Sequence, residues 1–193
     1  MDSLGYELRL DPDGTGDGVF ATRTLNVGDV AMVGVIEGGL NGNDSHATQV
    51  SRTKWIRHAG LGPKVNHSCD PNCGVRLNAT GACDFIVRRE IADGEELTFD
   101  YAMRNYSIEH FPGSCLCGAA SCRGSVTGWK DLSRAQKAEY DGEVLPYLLE
   151  LDAEDQLAEG QGRLSRGAKM PAIARISPTS KSPQSKASRQ TVI

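Results

Sequence analysis

A mainly β chain with a minor helical share (an α+β class) is what the sequence predicts, on three observations. Glycine is frequent, at 22 of 193 residues, which favours a turn-rich architecture over a helical bundle. Residues 6–101 break into short β-prone runs separated by turn residues. The helix-start and helix-length patterns lie at 131–159.

Taken in order, Tyr6, Leu8 and Leu10 alternate with polar residues, as in a half-buried strand. DPDGTGDG (11–18) is a turn-rich loop, VFATRTL (19–25) is β-prone, and NVGD (26–29) is a turn. Val30 to Ile36 is an apolar, β-branched run, followed by a flexible connection, GGLNGND (38–44). Residues 47–57 read as a strand pair. VNHSCDPNC (65–73) is turn-like and dense in functional side chains. Residues 74–78 and 83–89 are two strands about the turn NATG (78–81), and 91–101 is a turn with a short strand. SCLCGAASCRG (114–124) is a compact cysteine loop. DLSRAQKAEY (131–140) is a helix capped by Ser133, and 143–159 is a second helix with Pro146 in its first turn. From Gly160 on, Ser, Pro, Lys and Arg dominate and too little apolar surface is present to offset chain entropy, so a disordered tail is expected.

The length fits one domain plus a tail and supports a core without disulfides. Hydrophobic residues are 39% and charged residues 24%, ordinary values for a globular protein. The opening MDSLGYELRLD lacks a basic start followed by an apolar run, so no secretory signal is expected. No apolar stretch reaches the roughly 20 residues that cross a bilayer. An intracellular, reducing setting follows, where six cysteines serve metal or chemistry more often than disulfides. Seven of the 21 lysines and arginines lie beyond Glu159 (Arg163, Arg166, Lys169, Arg175, Lys181, Lys186 and Arg189), and none of the 25 acids does. Residues 1–159 thus hold 14 cations against 25 anions, a net of −11. Such a body favours basic partners and disfavours direct nucleic-acid binding.

Cys115, Cys117 and Cys122 form C-x-C-x4-C, three thiols able to converge on a tetrahedral zinc at about 2.3 Å. A structural site wants four ligands, and spacing leaves the fourth open among Cys69, Cys73, Cys83 and a histidine. A Cys115–Cys117 disulfide is disfavoured by its one-residue spacer. Cys73 and Cys83 read as buried small hydrophobes. His46, His58 and His110 read as surface or structural, and Arg88, Arg89 and Glu90 as strand-end charges on a solvated face.

NHSCDPN (66–72), ELTFDY (96–101) and CLCGAASCRG (115–124), in that order, closely resemble the two core motifs and the post-SET zinc loop of SET-domain lysine methyltransferases. GTGDGVFATRTLNVGDV (14–30) is similar to that family's opening segment, and the resemblance covers about residues 5–126. It implies several small β-sheets with a knot-like crossing of the two motifs, and the lack of a strand–GxGxxG–helix unit agrees. The implied division is a SET domain over 1–112, a post-SET zinc loop over 113–126, a helical extension over 127–159 and a basic tail over 160–193. It also implies zinc held by Cys69, Cys115, Cys117 and Cys122.

The resemblance further implies an S-adenosylmethionine-dependent transferase acting on lysine in a basic protein or peptide, histones among them. Tyr101 takes the catalytic position. Phe99, two residues earlier on the same strand face, takes the position that governs how many methyl groups fit, which implies di- or trimethylation. Asn66 and His67 are implied to hold the cofactor, with Gly16, Asp17, Gly18 and Val19 letting backbone approach it and Leu116 covering its adenine. The chain departs from the pattern in having no tyrosine between Tyr6 and Tyr101, which leaves His46 or Trp55 to occupy the second tyrosine's space. It has no cysteine-rich segment before the core, and 37–64 is a short version of the segment that helps form the substrate groove. The competing expectations are a transferase for a non-protein amine and a non-catalytic interaction module.

Overall fold

The structure is a computed structural model that describes residues 5–10, 16–41, 47–108, 111 and 113–167, with side chains through 157. Three small sheets carry the described strands. Strands β1 (Tyr6–Arg9) and β2 (Gly18–Ala21) form an antiparallel pair, with Tyr6 opposite Ala21. A second sheet joins β3 (Val30–Met32), β7 (Asn66–His67), β8 (Cys73–Leu77), β9 (Cys83–Val87) and β10 (Thr98–Phe99) in the order β3-β9-β8-β10-β7. The third, β4-β6-β5, is built from β4 (Ile36–Leu40), β5 (Thr48–Ser51) and β6 (Lys54–His58). Helices α1 (Arg134–Glu139) and α2 (Pro146–Gly167) follow. The mainly β expectation holds, and the expected strand pair at 47–57 is β5 with β6.

Several local expectations change. Leu8 is 36% and Leu10 69% exposed, although Val19 and Ala21, opposite Leu8 and Tyr6 on the partner strand, are fully buried. The run from Val30 to Ile36 is not one strand. Gly34 lies so close to the Cys83 carbonyl that a side chain there would collide. Its N–H donates to Asp84 Oδ1 at 2.8 Å and its carbonyl accepts from Asn78 Nδ2 at 2.9 Å. The chain turns there and enters β4, so residues 38–40, expected as connection, are strand. Residues 42–44 of that connection lie outside the described residues, as do His46 and His110. The 65–73 segment, expected as turn throughout, contributes β7 and the start of β8. Ser133 caps α1 through a reciprocal capping box with Gln136. Pro146 opens α2, where its missing N–H costs no helical bond. That helix runs on to Gly167, past the boundary expected at 159/160. The remainder of the expected tail, 168–193, lies outside the described residues.

One buried cluster unites the sheets with the C-terminal extension. Val19, Leu25, Phe85, Ile91, Leu97, Phe99 and Met103 pack with Trp129, Leu145 and Leu148, each at most 1% exposed. Burial of each large side chain is worth about 1.5–3 kcal/mol, so the extension is part of the core that the motifs rest on. Arg88 reinforces it. It is not a solvated strand-end charge but a clasp, pairing with Glu143 at 2.5 Å and lying over the Tyr140 ring at 4.8 Å. Cys73 and Cys83 are fully buried, as expected of small hydrophobes. One compact unit extends through Leu157. Among the described residues no helix is long and apolar enough to cross a membrane.

Candidate active site and metal centre

Strand β10 runs parallel to β7, with Thr98 opposite Asn66 and Phe99 opposite His67. This pairing lays the two motifs side by side. Ser68 N–H donates to the Phe99 carbonyl at 3.1 Å. Buried Asn72 locks the pair, donating from Nδ2 to the Glu96 carbonyl at 2.7 Å and accepting at Oδ1 from Thr98 N–H at 2.8 Å. Asp100 is fully buried and accepts from Ala102 N–H at 3.0 Å. It thereby caps the single 3-10 turn, Tyr101–Met103, that carries the phenol.

Tyr101 is enclosed by three rings. The centroid of His67 lies at 5.2 Å, Phe99 at 5.0 Å and Phe111 at 5.9 Å. Its hydroxyl donates to the Val65 carbonyl at 3.4 Å. Burial pushes its pKa above the ordinary value, so the phenol keeps its proton at neutral pH. Phe99 is fully buried, edge-on to Phe85 at 5.2 Å, with the Arg104 guanidinium 4.9 Å from its centroid. Trp55 is not among the rings against Tyr101. It sits in β6, and the ring found beside the phenol is Phe111. Sequence reasoning missed Phe111, whose only signal was an aromatic between FDY and the cysteine loop.

The opening segment meets the same place. Asn66 Nδ2 donates to the Asp17 carbonyl at 2.9 Å and to Glu96 Oε1 at 2.8 Å. Lys64 Nζ pairs with Asp17 Oδ2 at 2.8 Å. Gly16 has φ 121°, a conformation L side chains rarely adopt, and a Cβ there would meet nothing within 4 Å. Among the described residues the Gly16 backbone is thus open on that side. Gly18 is crowded instead, since its Cβ would lie 2.5 Å from Glu96 Oε1. Val19 is fully buried in the core, so its side chain supports the segment from beneath.

The fourth thiol is Cys69. The sulfurs of Cys69, Cys115, Cys117 and Cys122 all lie within 4.8 Å of one another, with Cys69 to Cys115 at 3.9 Å. Thiolates at about 2.3 Å around a tetrahedral zinc sit about 3.8 Å apart, so the cluster is compatible with zinc. Backbone N–H groups support negative sulfurs. Cys69 N–H points at Cys117 Sγ, Arg123 N–H at Cys69 Sγ and Gly124 N–H at Cys122 Sγ, each at 3.4 Å. Burial raises the Cys117 thiol, but hydrogen bonds from the Cys69 and Ala119 backbones and the Cys115 and Cys122 side chains together outweigh it and hold it down at about 6. Burial instead pushes Cys69 up to about 12, and Cys115 upward. Leu116, between two of these thiols, is 90% exposed. His67 accepts from Tyr101 N–H at Nδ1, 3.2 Å, while Nε2 lies 3.4 Å from Cys69 Sγ. Burial, opposed by Asp100 and helped by Arg123, pushes its pKa down to about 4, so the ring is neutral.

Residues 16–102 match the family model described as the SET domain. A Cryptococcus neoformans protein named histone-lysine N-methyltransferase, H3 lysine-36 specific, is 35% identical over 75 residues, which is 37% of this chain and 9% of that protein. A Saccharomyces cerevisiae protein named histone-lysine N-methyltransferase, H3 lysine-4 specific, is 38% identical over 71 residues, 35% of this chain and 7% of that protein. The chain thus spans less than a tenth of the length of these curated relatives. A solved structure of KRYPTONITE with mCHH DNA, an H3(1–15) peptide and SAH is similar at TM-score 0.49 and 21% identity, over 63% of this chain and 29% of that one. The family model is matched across both motifs that pair in one sheet, so residues 16–102 are similar to the SET domain.

Proposed function

We propose that this chain is an S-adenosylmethionine-dependent protein lysine N-methyltransferase that adds two or three methyl groups. The observation that carries the reading is Tyr101: a half-buried, protonated phenol ringed by His67, Phe99 and Phe111, on the 3-10 turn that follows the strand pairing with the NHSC motif. The donor supplies an electrophilic sulfonium methyl. Everything else is binding, alignment and exclusion of water, for which no covalent enzyme intermediate is needed.

Gly16, Asp17 and Gly18 offer backbone to the donor, with Asn66 holding that segment through the Asp17 carbonyl. Leu116, exposed as it is, is placed in this reading over the donor's adenine. A free lysine titrates near 10.4, so its amine must shed a proton before it can attack. An aromatic enclosure disfavours the ammonium form and thus favours the nucleophile. Because the Tyr101 hydroxyl donates to Val65, its oxygen lone pairs remain for the amine and the methyl. The new N–C bond forms as the S–C bond breaks, which leaves the donor as a neutral thioether and the product as a methylammonium; that ammonium gives a proton to solvent before any further transfer. Phe99 presents a ring with no hydroxyl to anchor a water, which leaves room for an already methylated amine.

The four thiols would hold a zinc whose part is structural, pinning the 115–124 loop to the NHSC motif. The acceptor proposed is a lysine in a basic protein, with histone H3 the first choice because both relatives are named for H3 lysines. The net −11 of residues 1–159 suits that partner. An intracellular setting is supported by six free thiols.

The test uses labelled donor, histone H3, a panel of basic peptides and free amines, and mass spectrometry of the products. Wild type is expected to label peptide lysine. Tyr101→Phe, which keeps the ring, is expected to lose at least 100-fold in kcat with an unchanged fold. Labelling of free amines alone, or equal turnover by Tyr101→Phe, refutes the reading.

A further inference from the structure

The residue after the last cysteine of the loop reaches into the motif that bears the phenol. Arg123 donates from Nη1 to Asp100 Oδ2 at 2.6 Å and from Nη2 to Asp100 Oδ1 at 2.9 Å. This is a two-pronged ion pair, the geometry a guanidinium makes and an ammonium cannot. Its carboxylate is fully buried, and the Arg123 side chain is 13% exposed.

Asp100 is the junction of the site. Besides Arg123 it takes the Tyr140 hydroxyl at 3.0 Å and the Ala102 N–H at 3.0 Å, and it lies 3.6 Å from His67 Nδ1. His67 in turn accepts from Tyr101 N–H. Two of the backbone amides that set the phenol's course, Tyr101 and Ala102, therefore end on groups that Arg123 holds or faces. At the other end, Arg123 N–H points at Cys69 Sγ. Among the described residues Arg123 is the permanent cation paired with this carboxylate. Without it a buried carboxylate stands unpaired, an arrangement a protein relieves by shifting the groups around it.

We infer that Arg123 is a positioning residue for methyl transfer, acting through Asp100 to fix the 3-10 turn that carries Tyr101. Folding of the cysteine loop and placement of the phenol are then one event. A loop detached from the core takes the Asp100 anchor with it. The inference rests on Tyr101 being the phenol at the reacting centre.

The test uses the full chain with its metal, as wild type, Arg123→Met, Arg123→Lys and Asp100→Asn. Four quantities are read: metal per chain, amide exchange of Tyr101 and Ala102 by NMR, kcat, and KM for the donor. In Arg123→Met, with metal content unchanged, the Tyr101 and Ala102 amides are expected to exchange at least tenfold faster while the Phe85 and Leu97 amides keep their protection. The kcat is expected to fall at least tenfold and the donor KM to change less than threefold. Arg123→Lys, which restores charge but not the fork, is expected to recover only part of both. Should Arg123→Met not fold, Arg123→Lys carries both readouts. Unchanged exchange at Tyr101 and Ala102 overturns the inference. So does a loss of protection spread evenly over the core, or a kcat that falls only in step with metal content. If wild type methylates nothing, the proposed activity fails, while amide exchange still decides the Arg123–Asp100 link.

Discussion

His58 sets a limit on the acid stability of this fold. It lies in β6 at 4% exposure, and neither ring nitrogen has a hydrogen-bond partner among the described residues. Burial, and after it the nearby Arg104 cation, push its pKa down to about 4, with Asp84 pulling the other way. In the unfolded chain a histidine titrates near 6.5. Between those values the unfolded chain binds a proton that the folded chain refuses, so stability rises with pH across the window. The contribution is whole above 6.5 and is lost as pH falls towards 4. A shift of this size corresponds to about 3 kcal/mol, which residual solvent access trims to about 2 kcal/mol.

The assay is urea unfolding of wild type and His58→Met at steps from pH 7.5 to 4.5. Methionine fills the site without titrating. Its offset from wild type at pH 7.5 measures packing alone. On acidification wild type should lose about 2 kcal/mol more than the variant. Protonation of His67 and of the cysteine cluster is common to both proteins and drops out of the difference. Two curves that stay parallel to within about 0.5 kcal/mol would show that His58 takes up its proton in the folded chain as readily as in the unfolded one, and the reasoning would fail.

Two other perturbations read the site and its support. Phe99→Tyr puts a hydroxyl on a fully buried ring 5.0 Å from Tyr101; mass spectra of the product should shift from di- and trimethyl to monomethyl lysine, and an unchanged product ladder would remove Phe99 from that role. Trp129→Ala empties a site 1% exposed in the shared core, so urea midpoints should report a loss of about 3–5 kcal/mol; a loss under about 1 kcal/mol would mean that the extension is not part of the folding unit.

Where local chemistry decided the structure, the sequence was legible. Ser133 and Gln136 announce a capping box by spacing alone, and NATG announces a turn because Asn78 Oδ1 can serve the Thr80 and Ala82 amides. C-x-C-x4-C announces three converging thiols. Spacing did not choose Cys69 over Cys73 or Cys83, because that choice depends on a contact across 46 residues. The family resemblance chose it, and the sulfur positions agree. The site residues are legible in the same divided way: the motifs mark Tyr101, Phe99 and Asn66, but Phe111 arrives beside the phenol only through folding.

The failures share one cause. Arg88 looks like a solvated charge until Glu143 and Tyr140, more than 50 residues on, close over it. Val30 to Ile36 looks like one strand until the carbonyl of Cys83 presses on Gly34. Arg123, given no reading from the sequence, acquires one only when Asp100 is found beneath it. In each case the meaning of a polar or small residue came from a distant partner that buries it. Burial turns a charge from a solvated ornament into an obligation, since an unpaired charge inside costs far more than a surface pair returns. The residues that tie the phenol to the cysteine loop are for that reason the ones local pattern cannot see, and the ones whose loss the site is least able to absorb.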